Sequence, residues 1–338
     1  DIEANQPMSR DTLFRIFSMT KPITATAILL LYEEGYFHLN DPISNYIPEF
    51  KNMRVYDSGS EDEYVVVNME REITIHDLLT HTSGLTYGGE RHPVEKMYRK
   101  AALFREDQPL KELVIRLTQF PLMFQPGTAW EYSYSYDVLG YLIELLSGQS
   151  LDTFFKERIF KPLRMKDTGF IVSKEKRSRF AQTYQRQENG GFVLLNPSQK
   201  YDENLRCFSG GEGLVSSAED YMNFLMMLIN DGEFEGLRFL NRKSVELMTI
   251  NHVPIAYLPD GPNGRKGYGF GLGMAVMTDL AKADILGSEG EYNWGSVAST
   301  SFWIDPKEEL VGLFLTQLMN NSRFPEDFRV LVYQAIAD

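Results

Sequence analysis

The sequence predicts an α+β fold in which helices flank an antiparallel sheet and a mainly helical region is inserted into the sheet domain. An apolar helix lies near the N-terminus, helices dominate the middle of the chain, and strand-like runs concentrate towards the C-terminus. This order of elements is typical of a layered α+β domain with an insertion. We therefore assign residues 1–50 and 205–338 to the part with the antiparallel sheet, and residues 51–204 to the helical region.

Composition limits the classes of protein to consider. The chain has 338 residues, enough for one large domain or two smaller ones. Its net charge of −13 argues against a nucleic-acid partner, because phosphate binding requires a basic face. No apolar run reaches the roughly 18 residues of a membrane span, so no membrane partner is expected. The single cysteine, Cys207, excludes an internal disulfide. It favours the cytoplasm slightly over the periplasm or secretion and leaves the localisation undetermined.

Helices are predicted in the first half of the chain. The first covers residues 18–34, and Gly35 is a normal residue for its C-terminal stop. Residues 23–32 within it are almost all apolar, which indicates a helix buried on every side. The segment ITIHDLLTHTSGL, residues 73–85, predicts a short helix that ends at a turn. A further helix is predicted over residues 137–147, which are rich in leucine.

The C-terminal third carries the predicted strands. The run GYGFGLGMAV, residues 267–276, alternates glycine with apolar residues, as a strand with one bare face would. SVASTSFWID and LVGLFLTQL predict two strands joined by a hairpin at PKEE. A final amphipathic helix is predicted over residues 326–337, and the polar stretch at residues 57–63 is predicted to be a surface loop.

Short motifs for common cofactors and metals are absent from the sequence. It lacks G-x-S-x-G, H-E-x-x-H, a Cys/His cluster and a P-loop, and the glycines of GYGFGLG do not fit G-x-G-x-x-G. We therefore expect no cofactor and no metal site. His81, in THTSGL, has the chemistry of a base, but we interpret it as a structural residue that bonds its own turn.

A serine and a lysine three residues apart, Ser18 and Lys21, stand at the start of the buried helix. Residues i and i+3 share a helix face, and the free N–H groups of a first turn favour developing negative charge. Desolvation there lowers a lysine pKa towards the range of a useful base. From these residues alone, an N-cap serine beside a lysine that reaches the surface is an equally good interpretation. The spacing recurs at Ser173 and Lys176, within the charged run SKEKRSR, which indicates solvated surface.

The order of motifs along the chain is more specific than any one of them. SMTK is followed by LLTHTSGLTYG, YSYSYDVLG, SGGEGLVSSAEDYMNFLMML, GYGFGLG and WGSVASTSFWIDP. With this arrangement the chain resembles the serine β-lactamase-like hydrolase superfamily, and most closely the family VIII carboxylesterases, which have the fold of class C β-lactamases. The resemblance extends from Arg10 to the last helix. It implies a β-lactamase/transpeptidase-like fold with the active site between the sheet part and the helical region.

The resemblance implies catalytic roles for three residues. Ser18 would be the nucleophile that forms an acyl-enzyme, and Lys21 would be its partner. Tyr132, in a Y-S-Y that stands where the superfamily has Y-x-N, would be the general base or proton relay. A phenol with a pKa near 10 becomes a usable base if a neighbouring ammonium stabilises its phenolate, and the two groups should titrate as a pair. Without the resemblance, Tyr132 is better explained as an aromatic residue of a tyrosine-rich core segment.

The segment W-G-S matches the W-G-G that these esterases carry in place of K-T-G. By the same resemblance, the backbone N–H groups of Val297 and Ser18 would form the oxyanion hole. Trp294 offers an apolar wall and one donor in place of a positive charge, which favours a neutral, apolar ester over an anionic lactam or peptide terminus. The expected substrate-binding residues are Trp294, Gly295, Ser296, Tyr134 and Tyr87, and Tyr98 and Phe104 are expected to add to an apolar pocket.

The sequence departs from the family in three places. Tyr134 replaces the asparagine of Y-x-N, so that asparagine's bond to substrate is absent. Ser296 and Ser299 stand where the family usually has glycine, and their side chains are expected to narrow the pocket or alter its strand. Only 17 residues precede Ser18, and the first is Asp1 rather than methionine. We therefore expect that a segment of the sheet is missing from this chain or that a partner covers the sheet edge.

The sequence thus predicts a serine carboxylesterase that cleaves short- to medium-chain carboxylic esters through an acyl-enzyme on Ser18. The expected partner is a small-molecule ester, and homo-oligomerisation is left open. One alternative is a β-lactamase or D-amino-acid peptidase, which Trp294 disfavours because it supplies no positive charge for an anionic substrate. A second is an acyltransferase, which no residue distinguishes from an esterase. A third is a non-catalytic binding homologue, which is disfavoured because Ser18, Lys21 and Tyr132 are all present.

Overall fold

The computed structural model describes residues 1–188, 190–195, 201–321 and 323–336. Its α-helices are, in chain order, α1 (Thr20–Glu33), α2 (Ile75–Leu79), α3 (Pro93–Ala101), α4 (Leu110–Leu117), α5 (Ser135–Ser147), α6 (Leu151–Phe155), α7 (Ala218–Ile229), α8 (Arg242–Met248), α9 (Leu280–Ala283) and α10 (Arg323–Tyr333). Its strands are β1 (Phe14–Arg15), β2 (Arg54–Gly59), β3 (Tyr64–Asn68), β4 (Thr183–Arg186), β5 (Phe192–Leu195), β6 (Val215–Ser216), β7 (Glu233–Phe234), β8 (Leu237–Arg238), β9 (Tyr268–Phe270), β10 (Ala275–Met277), β11 (Tyr292–Gly295), β12 (Ser301–Asp305), β13 (Leu310–Phe314) and β14 (Leu318–Met319).

The main sheet is antiparallel and has the strand order β13-β12-β11-β10-β9. Strands β12 and β13 are joined through residues 306–309, so the hairpin predicted at PKEE is confirmed. β11 ends at Gly295, which pairs with Ser301 at the start of β12. Trp294 therefore lies near the end of the central strand, next to the turn of residues 296–300.

Residues 267–276 form two strands, and the prediction of a single strand is wrong. β9 and β10 pair antiparallel, and the chain reverses between them where the Gly271 N–H donates to the Met274 carbonyl at 2.8 Å. Gly273 has φ +96°, a conformation that side chains disfavour, and a Cβ there would lie 2.9 Å from the Ala25 Cβ on α1. The glycines thus allow a tight reversal packed against α1.

Helix α1 is buried on every side, as predicted, and residues 20–31 are all buried. One 3₁₀ turn, Phe17–Met19, precedes it, so Ser18 lies before the α-helix and not in its first turn. No side chain caps α1, and Lys21 is fully buried. The alternative interpretation, an N-cap serine beside a lysine that reaches the surface, is therefore wrong.

Helix α5 lies at the centre of the helical region and packs against α1, α2 and α4. It begins at Ser135, slightly earlier than predicted, and ends at Ser147, because Gly148 follows in a left-handed conformation with φ +69°. The short helix predicted within residues 73–85 is α2, which Thr74 caps by accepting a hydrogen bond from the Asp77 N–H. Apolar side chains from the sheet part and the helical region join in one continuous core.

Other sequence predictions differ in detail from the structure. The polar stretch at residues 57–63 belongs to the hairpin of β2 and β3, and not to a loop alone. The last helix, α10, begins at Arg323, earlier than predicted, while Ala337 and Asp338, where the helix and the sheet part were predicted to end, lie outside the described residues. The domain boundaries near residue 51 and residue 205 stay a prediction. Within the described residues, every helix is too short or too polar to cross a membrane.

Candidate active site

The predicted nucleophile, Ser18, lies on the turn that connects β1 to α1. The residue before it, Phe17, has φ +40°, and such a left-handed conformation costs a non-glycine residue about 1–3 kcal/mol. Strain of this kind persists only where the surroundings hold it, and it clusters at functional sites. Ser18 is half-buried and opens into a cleft of about 1070 Å³ that Tyr132 and Trp294 also line.

The three predicted catalytic side chains converge on one oxygen atom. The Tyr132 hydroxyl donates a hydrogen bond to Ser18 Oγ at 2.7 Å. Lys21 Nζ donates to the same Oγ at 3.3 Å and to the Gly211 carbonyl at 2.8 Å. The amine also lies over the Tyr132 ring, 4.4 Å from its centroid. The fold therefore brings together a serine, an amine and a phenol from two distant segments of the chain.

Burial is the main influence on the Lys21 amine. Desolvation lowers the pKa of Lys21 to about 8, because the charged form loses its hydration inside the protein. The carboxylates of Glu212 and Asp137 oppose this shift. Burial also raises the pKa of Asp137 to about 7, against the hydrogen bond from Ser209, and raises the pKa of Glu212. Near neutral pH, a larger fraction of Lys21 is therefore neutral than of an exposed lysine.

The Tyr132 phenol behaves differently from the expectation of an activated base. Burial raises its pKa above the ordinary value, and the hydrogen bond with Ser18 only partly opposes the shift. The neighbouring amine does not overcome this desolvation. In the structure the phenol is therefore a hydrogen-bond donor to Ser18 Oγ.

The predicted oxyanion hole consists of the backbone amides of Ser18 and Val297. Among the described residues, neither the Ser18 N–H nor the Val297 N–H donates a hydrogen bond to a protein acceptor. Val297 lies in the turn after β11, which is closed by a hydrogen bond from the Ser296 N–H to the Thr300 carbonyl at 2.8 Å. Gly295, Ser296 and Val297 line the same cleft as Ser18.

The serines that replace family glycines are built into this turn. Ser296 Oγ accepts hydrogen bonds from the Ala298 N–H at 3.2 Å and from Thr300 Oγ1 at 2.7 Å. Ser299 has φ +61°, a left-handed conformation that favours glycine. Its hydroxyl donates to the Leu318 carbonyl at 2.6 Å and accepts from the Asn321 N–H at 3.0 Å. The Ser296 hydroxyl thus braces the turn from within, and the Ser299 hydroxyl ties it to residues 318–321.

Trp294 forms an apolar wall beside the phenol. It is 4% exposed, and its ring centroid lies 5.7 Å from that of Tyr132 and 5.3 Å from that of Phe270. An indole at this position supplies no positive charge to an anionic substrate group.

The other predicted aromatic residues divide into two groups. Tyr87 and Tyr134 pack on each other, with ring centroids 4.5 Å apart, and the Tyr87 ring lies 5.2 Å from that of Tyr132. Tyr98, in contrast, is buried against Phe120 in the core of the helical region. Phe104 also packs against the core, so the structure does not bring these last two predicted residues to Ser18.

His81 supports the phenol and does not contact Ser18. It is fully buried, and burial lowers its pKa well below the ordinary value, which keeps the imidazole neutral. Its Nδ1 and Ser133 Oγ share a hydrogen bond of 3.0 Å, and its ring lies 4.8 Å from the Tyr132 ring. These contacts agree with a structural role for His81, but the predicted bond within its own turn is wrong, because the imidazole bonds Ser133, 52 residues further along the chain.

The second S-x-x-K spacing lies on the surface, as predicted. Ser173 is exposed, and Lys176 Nζ donates to the Lys166 carbonyl at 2.8 Å and pairs with Asp167 at 2.9 Å. In the part of the chain that the structure describes, no group of histidine, cysteine or carboxylate side chains is arranged to hold a metal ion.

Sequence reasoning missed the groups that surround Lys21 from the opposite side. Asp137, Ser209, Gly211 and Glu212 lie on α5 and on the loop before β6, far from Ser18 in sequence. Asp137 follows the Y-S-Y motif in YSYSYDVLG, and the other three occur within SGGEG. Polar residues within otherwise apolar or glycine-rich runs were the one feature of the sequence that could have indicated these neighbours of Lys21.

The chain matches the family described as Beta-lactamase over residues 1–335. It is 36% identical over 326 residues to Protein Rv1367c of Mycobacterium tuberculosis strain H37Rv, and 33% identical over 337 residues to Esterase EstB of Burkholderia gladioli. Each alignment covers 94% of this chain and 80% of the relative.

A solved structure agrees with the sequence comparison. The structure of EstCE1, described as a hydrolase with promiscuous acyltransferase activity, superposes with a TM-score of 0.83 at 26% identity. The superposition covers 98% of this chain and 88% of EstCE1. The chain therefore belongs to the β-lactamase family and has the β-lactamase/transpeptidase-like α+β fold. It is a β-lactamase-fold protein with hydrolase relatives, esterases among them.

Proposed function

We propose that this protein is a serine carboxylesterase that cleaves short- to medium-chain esters through an acyl-enzyme on Ser18. The observation that carries the proposal is the contact of Ser18 Oγ with both the Tyr132 hydroxyl, at 2.7 Å, and Lys21 Nζ, at 3.3 Å. A nucleophile within hydrogen-bond reach of a base is the arrangement that covalent catalysis requires. The esterases EstB and EstCE1 among the relatives support the same reaction class.

In the proposed mechanism, neutral Lys21 accepts the Ser18 proton as Oγ attacks the ester carbonyl. The Ser18 and Val297 N–H groups stabilise the oxyanion of the tetrahedral intermediate, a contribution of about 10²–10³ in rate per donor in comparable enzymes. Tyr132, which already donates to Oγ, passes its proton to the leaving alkoxide and takes one from the adjacent Lys21 ammonium, so the phenol and the neutral amine are both restored. Water then attacks the acyl-enzyme, with the same groups acting in reverse, and frees the acid.

The proposed substrate is a neutral ester with an apolar acyl group. Trp294 supports this choice because it lines the cleft with an indole, an apolar wall that offers no positive charge to an anionic substrate group. A β-lactamase or D-amino-acid peptidase remains the alternative for anionic substrates. Faster turnover of nitrocefin than of p-nitrophenyl butyrate would reverse this ranking.

A second candidate is acyl transfer from the same acyl-enzyme to an alcohol. The observation that favours it is the similarity to EstCE1, whose description includes promiscuous acyltransferase activity. An added alcohol would then compete with water for the acyl group. Product analysis by mass spectrometry, with and without the alcohol, distinguishes transfer from hydrolysis.

The deciding experiment compares the two S-x-x-K serines. We expect the wild type to hydrolyse p-nitrophenyl butyrate and to react with a fluorophosphonate probe. Ser18→Ala should lose both reactions, while the matched control Ser173→Ala, on the exposed surface, should keep them. Wild-type turnover by Ser18→Ala would discard the assignment, and absence of labelling in the wild type would support a non-catalytic binding homologue.

A further inference from the structure

The turn of residues 209–212 lies directly against the Lys21 amine. Its Gly211 carbonyl accepts the shorter of the two hydrogen bonds that Lys21 Nζ donates, at 2.8 Å against 3.3 Å for Ser18 Oγ. Both acceptors are neutral. Within the described residues, no carboxylate lies close enough to Lys21 for an ion pair. The position of the amine therefore depends on a backbone carbonyl, and hence on the shape of this turn.

Ser209 organises the turn from its first position. Its hydroxyl donates to Asp137 Oδ1 at 2.6 Å, and the same oxygen accepts from the Gly211 N–H and the Glu212 N–H, each at 3.2 Å. A hydroxyl has one proton, so donation to Asp137 leaves both lone pairs for the two amides. All of these atoms are buried or half-buried, where an unmade hydrogen bond costs about 1–3 kcal/mol.

The turn is also attached to α1, the helix that carries Lys21. Thr24 Oγ1 donates to the Gly210 carbonyl at 2.7 Å. There is no room for a side chain at Gly211, because a Cβ would lie 2.5 Å from the Tyr87 hydroxyl and 2.9 Å from Asp137 Oδ2. The turn is thus held between α5, through Asp137, and α1, through Thr24.

We propose that Asp137 and Ser209 are positioning residues for the reaction, and that they act by aiming the Gly211 carbonyl at Lys21 so that the amine stays within reach of Ser18 Oγ. This inference rests on the proposed function. The carboxylate acts in two separable ways. Its oxygen orients the Ser209 hydroxyl, and its charge adds to the field at the amine.

The two effects have different signatures in the pH dependence of Ser18 labelling by a fluorophosphonate probe. The labelling rate rises with pH to a plateau, and the height of that plateau reports how well Lys21 is placed. The pH at the midpoint of the rise reports the charge around the amine. The titratable groups that face Lys21 are Asp137, Glu212, Tyr87, Tyr132, Tyr136 and His81.

Two variants separate placement from charge. Ser209→Ala keeps the Asp137 carboxylate but removes its link to the turn. We therefore expect the plateau labelling rate to fall about 10- to 100-fold, which is less than the 10²–10⁴-fold loss typical when an acid–base group itself is removed. The midpoint should stay where it is in the wild type. Asp137→Asn keeps an acceptor oxygen for Ser209, so its plateau should lie within about threefold of the wild type, while loss of the anion moves the midpoint to lower pH.

Controls keep a folding defect apart from a positioning effect. Ser216→Ala removes another buried, hydrogen-bonded hydroxyl, which bonds Thr168 at 2.8 Å, and should leave the plateau unchanged. Near-UV circular dichroism checks that each variant is folded. A wild-type plateau in Ser209→Ala, or an equal loss in Ser216→Ala, overturns the positioning role. If wild-type Ser18 itself is not labelled, the proposed function fails instead.

Discussion

The lowered pKa of Lys21 predicts a specific pH dependence for the reactivity of Ser18. With a pKa of about 8, the amine is neutral in about a tenth of the molecules at pH 7 and in about nine tenths at pH 9. If neutral Lys21 accepts the serine proton, the rate of fluorophosphonate labelling should rise about tenfold between these two pH values. The sign follows from desolvation, which disfavours the charged form and so lowers the pKa of a lysine.

The matched perturbation is Lys21→Arg, which keeps the positive charge but cannot lose it in this pH range. Its labelling should be at least about 10²-fold slower than wild type at pH 9 and should lose the tenfold rise. Lys176→Arg, in the surface copy of the motif, serves as the control and should behave as wild type. Labelling is measured by intact-protein mass spectrometry, with Ser18→Ala as the blank.

Two results would refute this reasoning. One is a wild-type rate that does not change between pH 6.5 and 9.5, and the other is a rise with a midpoint above pH 10. The first would mean that the serine proton does not go to Lys21. The second would mean that burial does not lower the amine pKa, so that the phenol would have to be reconsidered as the base.

Three further changes test the site and its support. Tyr132→Phe removes the donor 2.7 Å from Ser18 Oγ, so kcat for p-nitrophenyl butyrate should fall about 10²–10⁴-fold with little change in KM, and unchanged kcat would exclude a proton relay through this phenol. Gly273→Ala forces a side chain into φ +96° against Ala25 and should lower the free energy of unfolding by about 2–4 kcal/mol, measured by urea denaturation. Gly290→Ala, at φ +93° with open space around it, is the control and should cost only about 1 kcal/mol, so equal losses would contradict the role of the close approach. Ser299→Ala removes two hydrogen bonds between the turn after β11 and residues 318–321. It should therefore lower the free energy of unfolding by about 1–3 kcal/mol and slow acylation. Unchanged stability and acylation would show that the hydroxyl does not brace the turn.

Local patterns predicted the elements whose structure depends on near neighbours in sequence. The apolar run after Ser18 determines that α1 is buried, because no face of that helix can be exposed to water without loss of hydrophobic free energy. The two strand-like runs joined by only the four residues PKEE determine a hairpin, because so short a connection leaves neighbouring strands antiparallel. The glycine-rich run at residues 267–276 failed as a prediction because alternation cannot show that α1 approaches at Gly273.

The candidate site could be named from motif order, but its chemistry could not. The S-x-x-K spacing suits one helix face, yet the structure places Ser18 on a 3₁₀ turn. Ser18 directly follows Phe17, which has the left-handed φ of +40°. The expectation that the ammonium would activate the Tyr132 phenol assumed a charge effect larger than desolvation. In the structure, burial of both groups raises the pKa of the phenol and lowers that of the amine.

The sequence by itself determined the family, the buried first helix and the residue types that the reaction needs. Only the tertiary structure decided which group holds the amine and how burial shifts the pKa values of the amine and the phenol. The reason is physical: desolvation and hydrogen-bond geometry depend on atoms from Asp137 and the turn of residues 209–212, which are remote from Lys21 in sequence and meet it only in the folded core.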